Sequence, residues 1–230
     1  SQLPMDGGWT YGELLGKAAA GDFRANMLAG EYWMGLYYLN RGDLPLACLE
    51  HMQHFFREAA AKSGHPAPKL MMTDPYGIFG IFKAQSMQPE HAEWLDACRK
   101  LAEKGDMDAV TALYTVTDLP EAELKRYLAP LEKKAASGDQ DALAQLAFIR
   151  VDWLKEDPGK VLESLEKHRK NAKPVLLARM GELALSLGGG PSGNDPDGRK
   201  WRDMAVQPLS QAAEKGHAAA MRLLAEMTKG

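Results

Sequence analysis

Two histidines with metal-binding side chains, His51 and His54, lie three residues apart on one predicted helix, and Glu50 and Glu58 are near them. Side chains three apart on a helix are neighbours, so the two imidazoles can share a metal ion. Zinc would need a third protein ligand, which would have to come from elsewhere in the chain. We therefore interpret the pair as part of a partly exposed helix surface and predict no metal site.

A glycine-rich stretch covers residues 188–198, with the sequence GGGPSGNDPDG. A phosphate-binding loop of the P-loop type would end in Gly-Lys-Ser/Thr and follow a strand, and this stretch does neither. Asn194, Asp195 and Asp197 carry oxygens that suit calcium, but their spacing is not that of a calcium-binding loop with its closing glutamate. We interpret the stretch as an exposed loop between helices and predict no cofactor.

The sequence lacks the usual motifs of nucleophilic catalysis and of metal-dependent catalysis. No serine, cysteine or threonine lies in a nucleophile-elbow sequence, and no His-Glu-x-x-His motif is present. Carboxylate pairs occur, but nothing distinguishes one pair as a general acid and base. The sequence predicts no catalytic residues and a protein that is not an enzyme.

Aromatic residues are concentrated near the start of the chain. Twelve of the 18 lie within residues 1–82, and the predicted helix 23–40 carries Trp33, Tyr37 and Tyr38. Successive residues on a helix point about 100° apart, so these side chains cannot all face one side. Some must belong to the core. Those left exposed predict a partner surface, because tyrosine and tryptophan are enriched among binding hot spots.

The helices that carry these residues are joined by a recurring corner. In the stretch 128–146, Gly138 suits the left-handed residue that ends a helix, and Asp139 suits the cap of the next one. Four copies have an alanine four residues after the glycine. Six corners in all, two of them weaker copies, fall at positions 21, 64, 105, 138, 172 and 216, separated by 43, 41, 33, 34 and 44 residues. A recurring unit of this size, built from two helices, indicates an α-solenoid.

The corner pattern resembles the Sel-one-like repeat, a branch of the tetratricopeptide-like solenoids. The best copy is the segment 212–225, AAEKGHAAAMRLLA, and the segments 134–139 and 17–22 are similar. The chain departs from the family where its Leu-Gly becomes Leu-Ala or Leu-Tyr. The family's following tyrosine becomes Trp33 in the first copy. The resemblance also places histidine after the corner glycine, so we interpret His65 and His217 as structural.

The sequence therefore predicts an all-α fold, a right-handed superhelical solenoid of five to six Sel-like helix pairs. We expect one domain over residues 1–230, irregular at 63–88, with a long loop at 188–198 and no strand. The predicted helices cover residues 11–20, 23–40, 45–62, a short segment near 69–73, 76–86, 89–104, 108–116, 120–137, 141–155, 158–171, 174–187, 199–215 and 218–228.

The charge and hydropathy of the chain bear on which kinds of partner it binds. The net charge is −3 and the pI is about 6.1, which gives no reason to expect nucleic acid as a partner. No apolar run approaches the roughly 20 residues needed to span a bilayer.

The chain begins at Ser1, which a cleaved signal peptide or a trimmed chain would both explain. Two cysteines, Cys48 and Cys98, leave the compartment and a disulfide between them open.

The resemblance implies a non-catalytic module that binds another protein through the first helix of each pair. The side chains we expect to bind a partner are Trp33, Tyr37, Tyr38, Tyr114 and Phe148. Bacterial members of the family are often exported, and some are immunity proteins that neutralise secreted antibacterial effectors such as lipases. An envelope scaffold or host-interaction factor is the alternative. The expected location is the periplasm or envelope, with the cytoplasm as the alternative, and the expected state is a monomer or weak homodimer.

Overall fold

A computed structural model describes residue 9 and residues 11–39, 47–72, 90–117, 119–190 and 196–228. Within these ranges all regular structure is helical, and the predicted all-α class is confirmed. None of the helices in these ranges is long and apolar enough to cross a membrane. The helices are α1 Tyr11–Ala19, α2 Phe23–Leu39, α3 Ala47–Ser63, α4 Pro66–Met71, α5 Glu90–Ala102, α6 Met107–Val116, α7 Glu121–Ala136, α8 Gln140–Asp152, α9 Pro158–Glu166, α10 Pro174–Leu187, α11 Pro196–Glu214 and α12 Ala218–Met227, with a 3₁₀ turn at Arg169–Asn171.

The described residues form two compact units. Of the described residues, those from 11 to 130 form the first unit, and Trp9 with those from Leu131 onwards form the second. In the first unit α2 packs closely along α3, and in the second α10 packs closely along α11. The single domain expected over residues 1–230 stays a prediction.

Four of the predicted corners have the same backbone geometry. The glycine has a φ between 83° and 90°, and its N–H donates to the carbonyl three residues earlier. The N–H of the next residue donates to the carbonyl five residues earlier, so the pair of bonds forms a Schellman motif. Only glycine adopts this left-handed conformation at little steric cost. The four glycines are Gly21, Gly105, Gly138 and Gly216.

The residue after each of these glycines caps the following helix. Its side chain accepts the N–H of the alanine four residues after the glycine, at 2.8 to 3.3 Å. These alanines are at most 4% exposed, so a larger side chain would have to find space in the core. The predicted roles of Gly138 and Asp139 are confirmed. The capping pairs are Asp22–Ala25, Asp106–Ala109, Asp139–Ala142 and His217–Ala220.

A second glycine position allows two helices to approach closely in each unit. A Cβ at Gly30 would lie 2.6 Å from the ring of Phe56, and a Cβ at Gly181 would lie 2.5 Å from Leu209 Cγ. Phe56 and Leu209 are both fully buried. The absence of a side chain at these two positions is therefore what lets α3 lie against α2 and α11 lie against α10.

Helix α10 forms the centre of the second unit. It packs on α8, α9, α11 and α12, and every residue from Val175 to Gly181 is buried. A helix that is apolar on all sides suits a position surrounded by others. Arg179 is the charged exception in this run, and its Nη1 is 2.7 Å from Glu182 Oε2.

Several boundaries differ from those expected. Helix α4 begins at Pro66, earlier than 69, because His65 caps it and proline is favoured in a first turn. Helix α8 ends at Asp152, and α9 ends at Glu166 rather than 171. Helix α11 begins at Pro196, inside the loop expected to reach residue 198. The helix predicted over 76–86 lies outside the described residues.

Both cysteines lie in the first unit. Cys48 is on α3 and Cys98 on α5, and both thiols are buried and free. Burial raises the pKa of the Cys98 thiol to about 12, and the nearby Asp106 carboxylate adds to the rise. Cys98 is therefore a neutral, apolar-like core residue.

Candidate functional site

Four rings from α1, α2 and α3 form a continuous surface, which we call the N-terminal aromatic cluster: Tyr11, Tyr32, Trp33 and His51. The Trp33 indole stacks on the His51 imidazole, with ring centres 4.6 Å apart and planes 26° apart. Tyr32 meets Trp33 edge-on at 5.8 Å, and Tyr11 lies 5.2 Å from Tyr32. Edge-on and offset contacts of this kind stabilise aromatic pairs.

Packing between α2 and α3 brings the central pair of the cluster together. Gly30 of α2 faces Phe56 of α3. Trp33 lies three residues after Gly30, and it faces His51, which lies five residues before Phe56. The two helices therefore run antiparallel, with the fully buried Phe56 below and the partly exposed Trp33–His51 stack above. The core contact at Gly30 thus sets where the aromatic surface forms.

Exposure within the cluster increases towards its two ends. Tyr32 and Trp33 are half-buried, while Tyr11 is 38% exposed and His51 is exposed. Burial raises the pKa of the Tyr11 hydroxyl, so it stays a neutral group at physiological pH. The cluster therefore offers apolar ring faces together with a neutral hydroxyl, a combination that suits protein recognition.

The residues predicted to bind a partner are distributed over three helices. Trp33 belongs to the cluster, and Tyr114 lies half-buried on α6. Positions 37 and 38 are on α2, but the side chains of Tyr37 and Tyr38 lie outside the described part of the structure. Phe148 is on α8, in the second unit.

Phe148 is less available than its sequence position suggests. The guanidinium of Arg179 lies 5.0 Å from the centre of its ring, and Trp153 meets it edge-on at 6.2 Å. Arg179 itself is only 5% exposed. A buried cation over an aromatic face is a stabilising contact. One face of Phe148 is thus occupied by its own chain.

The two histidines considered for metal binding lie on an exposed face of α3. His51 stacks on Trp33, and His54 meets Phe55 edge-on at 5.2 Å. Across the ranges that the structure describes, no three His, Cys, Asp or Glu side chains are grouped as they would be to hold a metal ion. The stack gives His51 a role in the aromatic surface that its sequence position did not indicate.

The described part of the glycine-rich stretch terminates α10. Gly189 and Gly190 have φ values of 76° and 95°, and the N–H of Gly190 donates to the carbonyl of Leu185 at 2.7 Å. A Cβ at Gly188 would lie 2.8 Å from the carbonyl oxygen of Gly198. These glycines thus allow a tight helix end. The calcium candidates Asn194 and Asp195, and the side chain of Asp197, lie outside the described residues.

Comparison of the chain with models of protein families, with curated proteins and with solved structures finds no match.

Proposed function

We propose that the chain is a non-catalytic protein-interaction module whose helix pairs form a right-handed Sel-one-like solenoid. The repeated corner supports this proposal. The corners at Gly21, Gly105, Gly138 and Gly216 share two closing hydrogen bonds and the same side-chain cap. A stacked array needs such equivalence, because each pair must meet its neighbour in a similar way.

Equivalent helix contacts also support the repeat. Gly30 and Gly181 each lie nine residues after a corner position, at 21 and 172. Each receives a fully buried side chain from the following helix, Phe56 or Leu209. The same small residue thus performs the same packing role in two separate copies.

The N-terminal aromatic cluster is the observation that carries the proposed binding function. It combines a tryptophan, two tyrosines and a histidine on adjoining helices, held in place by ring contacts of 4.6 to 5.8 Å. Rigid aromatic side chains lose little conformational entropy on binding, so they supply affinity efficiently. We infer a protein partner that inserts an apolar segment against Trp33 and the exposed edge of Tyr11.

The sharper form of the proposal is an exported immunity protein. In this form the chain works in the periplasm or envelope, as a monomer or weak homodimer, and neutralises a secreted antibacterial effector such as a lipase. The testable distinction is inhibition. An immunity protein abolishes its partner's activity at one-to-one stoichiometry, whereas an envelope scaffold or host-interaction factor binds its partner and leaves it active.

The test is affinity capture with matched baits. The full chain and its Trp33→Ala variant are immobilised and exposed to native lysate and secreted fractions of the encoding organism, and bound proteins are identified by mass spectrometry. Val206→Ala provides the control, because Val206 is a 42% exposed apolar residue on α11, outside the cluster. Circular dichroism verifies that each bait is folded.

We expect one stoichiometric protein that is retained by wild type and Val206→Ala and lost from Trp33→Ala. Tyr11→Ala should weaken retention with less effect on folding, because Tyr11 is the more exposed ring. Inhibition of the captured protein's activity supports the immunity form. Equal retention by all baits contradicts the proposal that the aromatic cluster binds the partner.

A further inference from the structure

A cleft of about 210 Å³ lies at one edge of the second unit, where the starts of α8, α10 and α12 meet. We call it the corner cleft. Its polar side chains are Asp141, Lys173, Lys215 and His217. Three helix N-termini near one space favour negative charge there, because backbone N–H groups point outwards from each start.

His217 contributes a hydrogen-bond donor to this cleft. The residue is 4% exposed, and its Nδ1 accepts the N–H of Ala220 at 3.3 Å. A nitrogen that accepts a hydrogen bond carries no proton, so the ring proton resides on Nε2. No described residue accepts a hydrogen bond from this Nε2–H. Burial, with a smaller effect of Arg179, lowers the pKa of His217, so the ring is neutral near pH 7.

A second histidine in the same chain indicates which chemistry suits this donor. His65 also follows a corner glycine, and its Nδ1 accepts the N–H of Ala67 at 3.1 Å. Its Nε2 lies 3.2 Å from a carboxylate oxygen of Asp106. Both rings follow a glycine and cap a helix through Nδ1, His65 at the N–H two residues later and His217 at the N–H three residues later. Within the described residues only His65 is paired with a carboxylate.

The lysines of the cleft supply charge for an incoming anion. Lys173 Nζ lies 3.2 Å from Asp141 Oδ2, and both side chains are about 60% exposed. That pair leaves the exposed Lys215, directly before Gly216, as a further positive charge beside His217. A carboxylate could accept a charge-assisted hydrogen bond from the ammonium group and a second hydrogen bond from the neutral N–H.

We propose that the corner cleft binds a carboxylate group, held between the Nε2–H of His217 and the ammonium group of Lys215. The carboxylate comes either from an aspartate or glutamate side chain of another polypeptide or from a small organic acid. The site uses none of the residues of the aromatic cluster, so it stands independently of the proposed function.

The test uses NMR of the full chain with ¹⁵N-labelled histidines. The probes are succinate, its neutral analogue succinamide, inorganic phosphate, and blocked Ala-Asp-Ala and Ala-Asn-Ala peptides. The His217 signals are identified by their loss in His217→Asp, a variant that keeps a capping side chain because aspartate caps three of the other corners. Lys104→Met is the control for Lys215→Met, because the exposed Lys104 precedes Gly105 as Lys215 precedes Gly216.

We expect succinate or the aspartate peptide to shift the His217 signals saturably, with little change at His65, whose Nε2 already faces Asp106. Lys215→Met should weaken binding about tenfold and Lys104→Met should not. Tighter binding of the peptide identifies a polypeptide side chain as the source, and tighter binding of succinate identifies a small acid. The proposal is overturned if no carboxylate shifts His217, if the neutral analogues shift it equally, if phosphate binds more tightly than both carboxylates, or if Lys215→Met binds as wild type does.

Discussion

Replacing Gly181 by alanine places a methyl group where α10 and α11 touch. The new Cβ would lie 2.5 Å from Leu209 Cγ and 2.6 Å from its Cδ2. These separations are far below van der Waals contact, and Leu209 is fully buried, so its side chain has little room to move. Either Leu209 leaves its rotamer or the two helices separate.

The expected net destabilisation of Gly181→Ala is about 2 kcal/mol. Overpacking of a filled core costs about 1–3 kcal/mol, and the short distances favour the upper end. Alanine recovers up to about 1 kcal/mol through its higher helix propensity. The matched control is Gly16→Ala on α1, where a Cβ would meet nothing within 4 Å. That change should instead stabilise the protein by about 0.5–1 kcal/mol.

Urea unfolding, followed by circular dichroism, measures both changes in the free energy of unfolding. A double variant, Gly181→Ala with Leu209→Ala, tests the cause, because removing the leucine side chain removes the clash. Its destabilisation should be smaller than the sum of the two single effects. Additive effects, or a stabilising effect of Gly181→Ala like that of Gly16→Ala, would refute the proposed role of Gly181.

Three further predictions concern ionisable groups. Burial alone would raise the pKa of Asp106, but hydrogen bonds from His65 and from its helix's N–H groups outweigh burial and lower it. Asp106→Asn should therefore lower the free energy of unfolding by about 1 kcal/mol at pH 7, and this effect should disappear as the pH falls below about 4. Asp139 is only a helix cap, so Asp139→Asn should lower the free energy of unfolding by less. Urea unfolding at both pH values measures these changes. The lowered pKa of His217 means that wild type should lose stability as the pH falls below about 6.5, and thermal melts of His217→Asn should lack this loss. Because the pKa of Cys98 is raised to about 12, mass spectrometry should find it unlabelled by a thiol reagent at pH 8 in the native protein and labelled after unfolding.

The corners were predictable from the sequence because their chemistry is local. A glycine, a capping side chain and an alanine within five residues determine how the chain turns at Gly138 and Gly216, and the structure has the expected geometry at both. The start of α4 shows the limit of the same reasoning. His65 is a less obvious cap than aspartate, so the sequence pattern predicts the start of this helix near 69, three residues after its actual start at Pro66.

The candidate site depended on contacts that sequence periodicity does not contain. The stack of Trp33 on His51 requires that α2 and α3 run antiparallel at a distance set by Gly30 and Phe56. The contact of Arg179 with Phe148 likewise joins α8 to α10 across 31 positions of sequence. Helical spacing indicates which residues share a face, but it does not identify the side chains of another helix that lie opposite.

The dissociation constant of the captured partner, measured by calorimetry for three variants of the full chain, tests the binding role of the aromatic cluster most directly. Trp33→Ala should weaken binding by about 2 kcal/mol, roughly 30-fold, because a central tryptophan is a typical hot spot. Tyr11→Ala should weaken it less, and Val206→Ala should leave it unchanged. A partner that binds folded Trp33→Ala as tightly as wild type, or that is equally weakened by Val206→Ala, would contradict the account.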